Sequence, residues 1–306
     1  MPRPSRHGAP PHEPVRPSEP STIDFHTHTD RSDGVLEPSE LAAAAATAGV
    51  RLLAITDHDT LAGVRALRRS GQVPAGLELV DGVEINTVAD DELHVIGLGV
   101  HPDDDAFEAT LARQRHARRV RFDLAVARLR EYGLPIDAQV DVLDLRDDHA
   151  LGRPTLARAL VAAGHATSVE DAFSHFLLRG MAGYVPREGL GPADTIGAIR
   201  SAGGLAVLAH FGEAPARLDQ LRELCDLGLG GLEVYYRTFE RRTVETLETI
   251  ARDMRLVPTG GSDYHGDTAS YAEVHAGLWV PPEVGSGVLE AIARDQRVHF
   301  AAPEAQ

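Results

Sequence analysis

The sequence predicts an α/β fold, a distorted (β/α)7 barrel that carries one helical insertion domain. Short apolar runs typical of strands alternate with helical patterns from Ser21 onward, which indicates parallel strands joined by crossover helices. Between residues 103 and 187 the pattern is almost purely helical, and the alternation resumes after that segment. We therefore expect about seven strands in one barrel, with the insertion after the fourth.

The first half of the barrel opens with a short strand. Asp24, His26 and His28 lie on one face of it, because strand side chains alternate. The next helix is predicted to begin with Pro38 in its first turn and to stop at Gly49. Further strands are predicted at Leu52–Thr56, Leu77–Val83 and Leu93–Leu98.

The insertion and the second half of the barrel follow. Helices are predicted at 107–132, 155–163 and 168–178, the last opened by a Ser168-x-x-Asp171 capping box. The barrel then continues with helices at 192–202 and 239–254 and strands at 205–209, 231–235 and 256–259. The chain thus divides into a disordered, proline-rich leader (1–20), a barrel domain (21–102 and 188–302) and a helical insertion domain (103–187).

Composition excludes several classes of protein. All 30 Lys and Arg positions are arginine, which excludes Schiff-base chemistry and a lysine-dependent phosphate loop. Cys225 is the single cysteine, so disulfides and thiolate metal sites are excluded and a cytoplasmic location is expected. A formal charge of −16 argues against duplex DNA binding. The sequence has no run of about 18 apolar residues, so it predicts no membrane span.

Residues of metal-ligating types occur at the edges of the predicted strands. The carboxyl ends of barrel strands meet on one face, so residues far apart in sequence become neighbours there. A single His-x-His is weak evidence, but a shared strand-end position favours a common site. Nitrogen and oxygen ligands without sulfur suit Zn²⁺, Mn²⁺ or Fe²⁺, and the set is too large for one ion. The candidates are His26, His28, His58, Glu84, His94, His210, Asp263 and His265.

Seven motifs occur in the order typical of the polymerase and histidinol phosphatase (PHP) superfamily, which the chain resembles from about residue 23 to 299. The insert motifs Gly152-Arg153-Pro154 and Tyr184-Val185-Pro186-Arg187 resemble the branch with nucleoside 3′,5′-bisphosphate phosphatases and 5′-to-3′ exoribonucleases. The seven motifs are His26-Thr27-His28, Ser32-Asp33-Gly34, Thr56-Asp57-His58-Asp59-Thr60, Gly82-Val83-Glu84-Ile85, Leu93-His94-Val95-Ile96-Gly97, Ala209-His210 and Gly261-Ser262-Asp263-Tyr264-His265.

This resemblance implies a TIM-like barrel with two or three divalent metal ions, Mn²⁺ first and Zn²⁺ or Fe²⁺ as alternatives. The implied ligand sets are His26, His28, Glu84 and Asp263; Glu84, His94 and His210; and Asp33, His58 and His265. These ligands would be the catalytic residues, because ions about 4 Å apart can share a hydroxide that attacks phosphorus in line.

Other residues of these motifs carry expectations of their own. Arg153 and Arg187 are the predicted phosphate-binding residues, since a guanidinium fork matches phosphate oxygens. Asp57 and Asp59 are predicted either to orient ligand histidines or to cap the next helix. Positions 113, 115, 118, 119 and 121 are all arginine, a run typical of a solvated face that leaves an RNA-contacting patch open.

Three positions depart from this branch and leave the identity of the substrate open. Thr155 stands where histidine is typical after Gly-Arg-Pro, Met181 where lysine is typical, and Phe211 where proline is typical.

The expected activity is metal-dependent hydrolysis of a phosphate monoester or a 5′-terminal phosphoester of nucleotides. The expected substrates are nucleoside 3′,5′-bisphosphates or short oligoribonucleotides. The alternatives are a histidinol-phosphate phosphatase, a non-catalytic metal-binding PHP module, and a nucleic-acid-binding protein that uses the arginine run.

Overall fold

The computed structural model describes residues 20–88, 93–143 and 146–301, with only the backbone of 298–301. The predicted leader, apart from its last residue, lies outside the described residues. Seven strands form one sheet in the order in which they occur along the chain. They are β1 (Ile23–Asp24), β2 (Leu52–Ile55), β3 (Glu78–Asn86), β4 (His94–Leu98), β5 (Leu205–Leu208), β6 (Gly231–Tyr236) and β7 (Val257–Gly261).

Backbone hydrogen bonds join the first strand to the last and bring the sheet close to a closed barrel. The Phe25 N–H donates to the Gly260 carbonyl at 3.0 Å, and the Asp263 N–H donates to the His26 carbonyl at 2.8 Å. The predicted barrel of seven strands is therefore confirmed.

The expectation of parallel strands throughout is wrong for β4. This strand pairs antiparallel with both β3 and β5, with Asn86 opposite His94. Only residues 87–93 connect β3 to β4, which is too short for the crossover that a parallel connection needs. The reversed direction places the first residue of β4, rather than its last, at the end of the barrel where β3 finishes.

The helices follow the predicted order with small shifts in their bounds. The first has Pro38 in its first turn and a capping box between Glu37 and Glu40, and Gly49 follows it with a φ of +96°. The helices are α1 (Pro38–Thr47), α2 (Ala62–Ser70), α3 (Asp105–Glu131), α4 (Asp137–Val140), α5 (Arg153–Ala162), α6 (Val169–Ala172), α7 (Pro192–Ser201), α8 (Leu218–Asp226), α9 (Arg241–Met254), α10 (Tyr271–His275) and α11 (Pro282–Ala301).

The helix predicted at 168–178 is divided into α6 and a π-helical turn, Phe173–Leu177. The Asp171 N–H donates to the Ser168 hydroxyl as predicted, at 3.1 Å. The Asp171 carboxylate, however, accepts from the Thr167 N–H instead of closing the box on Ser168.

Two hydrophobic clusters are present among the described residues. The larger lies between the sheet and the barrel helices, and it continues onto the start of α3 through Phe107 and Leu111. The smaller lies within the insertion, where Leu129 and Leu160 are fully buried. A separate cluster is what an insertion domain needs, but its independent folding stays a prediction.

Candidate metal centre

The loops after β1 and β7 lie side by side. A Cβ on Gly261 would come within 2.3 Å of the His26 Cβ, so only glycine permits this close approach. The His28 N–H donates to the Tyr264 carbonyl at 3.0 Å and fixes the register between the two loops. His26 and His28 therefore lie beside Asp263 and His265, although more than 230 residues separate the two segments.

The loop after β2 runs alongside β3 and carries His58 to Glu84. The Glu84 N–H donates to the Asp57 carbonyl at 3.2 Å, and the Asp59 N–H donates to the Glu84 carbonyl at 2.9 Å. Glu84 lies inside β3, whereas the sequence predicted the strand to end just before it. On the far side of β3, the Ala209 N–H donates to the His94 carbonyl at 3.1 Å and brings His210 next to His94.

Asp57 holds the loop that carries Asp33. One Asp57 carboxylate oxygen accepts from the Thr29 N–H at 2.7 Å and the Ser32 hydroxyl at 2.6 Å, and the other accepts from the Thr29 hydroxyl at 2.7 Å. A Cβ on Gly34 would come within 2.4 Å of the His28 carbonyl oxygen, so the loop closes tightly over the first histidine pair. Asp57 thus acts on the loop of a candidate ligand rather than as a helix cap.

Backbone strain is concentrated at this end of the barrel. Of the four described non-glycine residues with positive φ, three lie here: Asp59 at +50°, His210 at +33° and Asp263 at +49°. Such conformations persist only where the surroundings enforce them, and they are typical of functional sites.

Glu84 is the centre of the cluster and is 1% exposed. Its Oε2 lies 3.0 Å from His58 Nδ1, 3.3 Å from His28 Nε2 and 3.4 Å from His26 Nε2. Its Oε1 lies 2.8 Å from His94 Nδ1 and 3.4 Å from His210 Nε2. One carboxylate therefore faces five imidazoles, three through Oε2 and two through Oε1.

Two further carboxylates complete the cluster. Asp263 Oδ1 lies 3.2 Å from His28 Nε2 and 3.3 Å from His26 Nε2. Asp33 lies 3.3 Å from His265 Nε2 and 3.4 Å from His58 Nε2. Three groups of potential ligand atoms result, with members within 4.8 Å of one another: His26, His28 and Glu84; Glu84, His94 and His210; and His28, Asp33, His58 and His265.

The electrostatics of the cluster favour bound cations. Burial would raise the pKa of Glu84, but the imidazoles around it, His58 first, hold that pKa well below its usual range. Burial would lower the pKa of His28, but the Asp263 and Glu84 carboxylates beside its ring raise it to about 10. The buried carboxylates thus draw positive charge into the site, and this charge can be supplied by protons or by metal ions.

The donor set fits divalent metal ions. His26 Nε2, both ring nitrogens of His28, His58 Nδ1 and Asp33 Oδ1 are buried without a hydrogen-bond partner among the described residues. Buried polar atoms are normally satisfied, so a set of unsatisfied ring nitrogens and carboxylate oxygens facing one another is typical of a site that binds cations. The nine predicted ligands lie together, and their role as ligands stays a prediction.

An arginine-lined cavity of about 160 Å³ opens over this cluster. Arg118 and Arg121, from α3, and Arg153 and Arg187 line it above Asp33, Glu84 and other candidate ligands. Burial, followed by the nearby Arg118 and Arg121, lowers the pKa of Arg187 below its usual range. An anion in the cavity would offset this crowding of positive charge.

The arginine run of α3 is divided by the structure. Arg118 donates to Asp59 Oδ2 and Asn86 Oδ1, and Arg121 donates to the Val185 carbonyl at 2.8 Å. Arg115 is buried and donates to the Asp59 carbonyl at 3.1 Å. The Asp59 carboxylate therefore binds the insertion, whereas the sequence predicted a ligand histidine or a helix terminus as its partner.

Sequence reasoning missed two buried carboxylates beside the site. Asp24 accepts from the Ser262 N–H at 2.9 Å and from the Tyr271 hydroxyl at 2.7 Å, which holds the loop after β7. Glu233, in β6, contacts His26 Nδ1 at 3.0 Å. The available signal was an acidic residue within an apolar strand, since buried carboxylates are rare unless they have partners.

Comparisons with known proteins agree with this geometry. The family described as PHP domain matches residues 24–133. The chain is 36% identical over 270 residues to the 5′-3′ exoribonuclease Rnm of Salmonella typhimurium, covering 85% of this chain and 90% of that protein. It is 30% identical over 256 residues to the 3′,5′-nucleoside bisphosphate phosphatase of Chromobacterium violaceum, covering 80% and 87% respectively.

A solved structure gives the same result for the fold. A protein of Bifidobacterium adolescentis assigned as a metal-dependent phosphoesterase matches with a TM-score of 0.76 and 30% identity, over 90% of this chain and 97% of that one. No described helix combines the length and the apolar character that crossing a membrane requires.

The barrel, its clusters of potential ligands and these relatives define a metal-dependent phosphoesterase. The chain belongs to the PHP family.

Proposed function

We propose that this chain hydrolyses the phosphoester at the 5′ end of short oligoribonucleotides, with nucleoside 3′,5′-bisphosphates as the smallest substrates of the same kind. The observation that carries the proposal is one small cavity with three groups of potential metal ligands at its floor and four arginines around it. Such a cavity suits a phosphoryl group between metal ions and guanidinium groups.

The size of the cavity supports a substrate that enters by one end. Its volume of about 160 Å³ is below the roughly 300–1,000 Å³ of pockets that enclose a whole drug-sized ligand. The cavity therefore suits the reacting phosphate and its immediate neighbours, and the rest of a longer substrate extends outward.

One reaction accounts for the exoribonuclease and the bisphosphate phosphatase named among the relatives. In a nucleoside 3′,5′-bisphosphate and in a 5′-phosphorylated RNA, phosphorus is bonded to the 3′-oxygen of the first nucleoside. Water adds its oxygen to this phosphorus, the bond to the 3′-oxygen breaks, and that oxygen leaves with a proton. The 5′-phosphate is retained in both products.

Arg153 and Arg187 are the proposed phosphate-binding residues. Arg187 Nε is buried and has no acceptor among the described residues, so an anionic oxygen in the cavity would satisfy it. The Arg153 guanidinium lies over the Phe173 ring at 5.8 Å, which orients it on the wall of the cavity.

The proposed metal ligands are the nine histidines and acids that the sequence predicted, with Glu84 shared between two ions. Divalent ions held there, Mn²⁺ first, would lower the pKa of a coordinated water and neutralise phosphoryl oxygens. Glu84 and Asp33 are 1% and 2% exposed, so the carboxylates at the floor of the cavity are shielded from bulk solvent.

The test uses protein stripped of metal and reloaded with Mn²⁺. The substrates are a 5′-phosphorylated ribotrinucleotide, the same trinucleotide with a 5′-hydroxyl, adenosine 3′,5′-bisphosphate and histidinol phosphate. We expect turnover of the 5′-phosphorylated RNA and the bisphosphate, lost with chelator, with a 5′-mononucleotide among the products. Turnover of histidinol phosphate alone would overturn the proposal in favour of that phosphatase. Metal binding without hydrolysis of any of them would favour a non-catalytic role.

A further inference from the structure

Glu233 is a buried carboxylate that belongs to none of the predicted ligand sets. It lies in β6 and is 1% exposed. Its Oε1 lies 3.0 Å from His26 Nδ1, and its Oε2 accepts from the His210 backbone N–H at 2.6 Å. Each oxygen therefore contacts a residue of a different group of potential metal ligands.

We infer that Glu233 is a positioning residue that prepares both His26 and His210 to bind metal. The inference rests on the proposed metal site, but not on the proposed substrate.

The effect on His26 is to select its tautomer. An ionised carboxylate can only accept, so the hydrogen of a neutral His26 ring must be on Nδ1. The lone pair of Nε2 is then directed into the cluster, where Nε2 lies 3.4 Å from Glu84 Oε2 and 3.3 Å from Asp263 Oδ1. Nε2 has no hydrogen-bond partner among the described residues, as expected of an atom reserved for a metal ion.

The effect on His210 is on the backbone. This residue follows β5 with a φ of +33°, a conformation that residues with a side chain rarely adopt. Its N–H points to β6, the parallel neighbour of β5, and donates a hydrogen bond to Glu233 Oε2. The hydrogen bond holds the backbone of His210 in this conformation, in which His210 Nε2 lies 3.4 Å from Glu84 Oε1.

A single substitution separates this role from simple filling of space. In Glu233→Gln the side chain keeps its size but offers one acceptor and one donor in place of two acceptors. If the amide oxygen accepts from His210, the amide hydrogens face His26 Nδ1 and move its hydrogen to Nε2. If the amide turns over, its hydrogens oppose the His210 N–H. In either orientation one group of ligands is disturbed.

The experiment measures metal rather than turnover. Metal-free wild type, Glu233→Gln and Glu248→Gln are titrated with Mn²⁺, and bound metal per chain is determined by equilibrium dialysis and elemental analysis. Visible absorption of the Co²⁺-loaded proteins reports the ligand environment. Glu248, in α9, is a matched control, because it accepts from the Tyr235 hydroxyl at 2.8 Å and, within the described part of the chain, no hydrogen bond or ion pair joins it to a predicted ligand.

We expect Glu233→Gln to bind at least one ion about 10- to 100-fold more weakly than wild type and to alter the Co²⁺ spectrum, and Glu248→Gln to match wild type. Wild-type Mn²⁺ affinity and stoichiometry in Glu233→Gln would overturn the inference. If that variant does not fold, Glu233→Asp decides. Its shorter side chain cannot reach both partners, so at least tenfold weaker Mn²⁺ binding supports the inference and wild-type binding overturns it. None of these results depends on which phosphoester is cleaved.

Discussion

Replacing Glu84 with glutamine tests whether one carboxylate joins two metal sites. The substitution preserves the size of the side chain but replaces one acceptor oxygen with a donor and removes the negative charge that faces five imidazoles. Glu84 belongs to two of the three groups of potential ligands, and the third group, around Asp33, does not include it. With three ions bound to the wild type, we therefore expect the variant to lose two and to retain one.

The size of the effect follows from linkage between binding and folding. At a free Mn²⁺ concentration about 100 times the dissociation constant, each ion stabilises the fold by about 2.7 kcal/mol. Loss of two ions then lowers the free energy of unfolding by about 5 kcal/mol. At about 2 °C per kcal/mol, as for domains of roughly 250 residues, the Mn²⁺-dependent rise in Tm shrinks by about 10 °C. Loss of about 4 kcal/mol of transition-state stabilisation would lower kcat about 1,000-fold.

The assay combines metal analysis with thermal unfolding, each with Mn²⁺ and with chelator, for wild type, Glu84→Gln and Glu248→Gln. Chelator should remove the Mn²⁺-dependent part of the Tm difference between wild type and Glu84→Gln, whereas a difference that persists in chelator reports the contacts of the carboxylate with the imidazoles. A Glu84→Gln protein with wild-type metal content and an unchanged Mn²⁺-dependent rise in Tm would refute the bridging role.

Three further predictions address the cavity, the loop and the insertion. Arg187→Met should raise KM for a phosphoester about 10- to 100-fold at unchanged metal content, because a charge-assisted hydrogen bond contributes about 1.5–3 kcal/mol to binding. An unaltered KM in steady-state kinetics would contradict this prediction. Asp57→Ala leaves three donors on Thr29 and Ser32 without their acceptor. In chelator, denaturant titration should show a free energy of unfolding about 3–5 kcal/mol lower than that of wild type. A loss below about 1 kcal/mol would show that water replaces the carboxylate. Leu160→Ala, in the core of the insertion, should lower the free energy of unfolding by about 2–5 kcal/mol. Hydrogen exchange should become faster in residues 122–177 and stay unchanged in the barrel strands, whereas uniform acceleration across the chain would argue against an insertion domain.

Local signals in the sequence predicted most of the barrel. Proline in the first turn and a glycine stop fixed α1 within one residue, since both act through the backbone alone. The direction of β4 was missed, because an apolar run predicts a strand but not the strand to which it pairs. That direction depends on the length of the loop after β3, which a reading of parallel crossovers overlooked.

The candidate site shows the same division. Residues at strand ends were found because the topology brings strand ends together. Glu233 was missed because it lies within β6, where only its charge distinguished it from the strand. Arg118 and Arg121 were interpreted as part of a run typical of a solvated face. They lie three positions apart on α3, however, and residues with that spacing share one face of a helix.

On the proposed assignment, chemistry and substrate choice come from different parts of the chain. The potential metal ligands all lie on the barrel, whereas Arg118, Arg121 and Arg153 lie on helices of the insertion. Arg121 donates to the Val185 carbonyl and Arg153 lies over the Phe173 ring, both within the insertion, whereas Arg118 also donates to Asp59, which follows His58 directly.

Neither Met181 nor Phe211, two of the positions that depart from the branch, lines the cavity over the candidate metal centre. Met181 is 38% exposed, and Phe211 is buried with the Arg217 guanidinium 4.9 Å from its ring centre. The cavity over the metal centre is lined by other residues, four of them arginine. In a protein with a formal charge of −16, these four arginines are the groups that, on the proposed function, would attract a phosphate to the candidate metal centre.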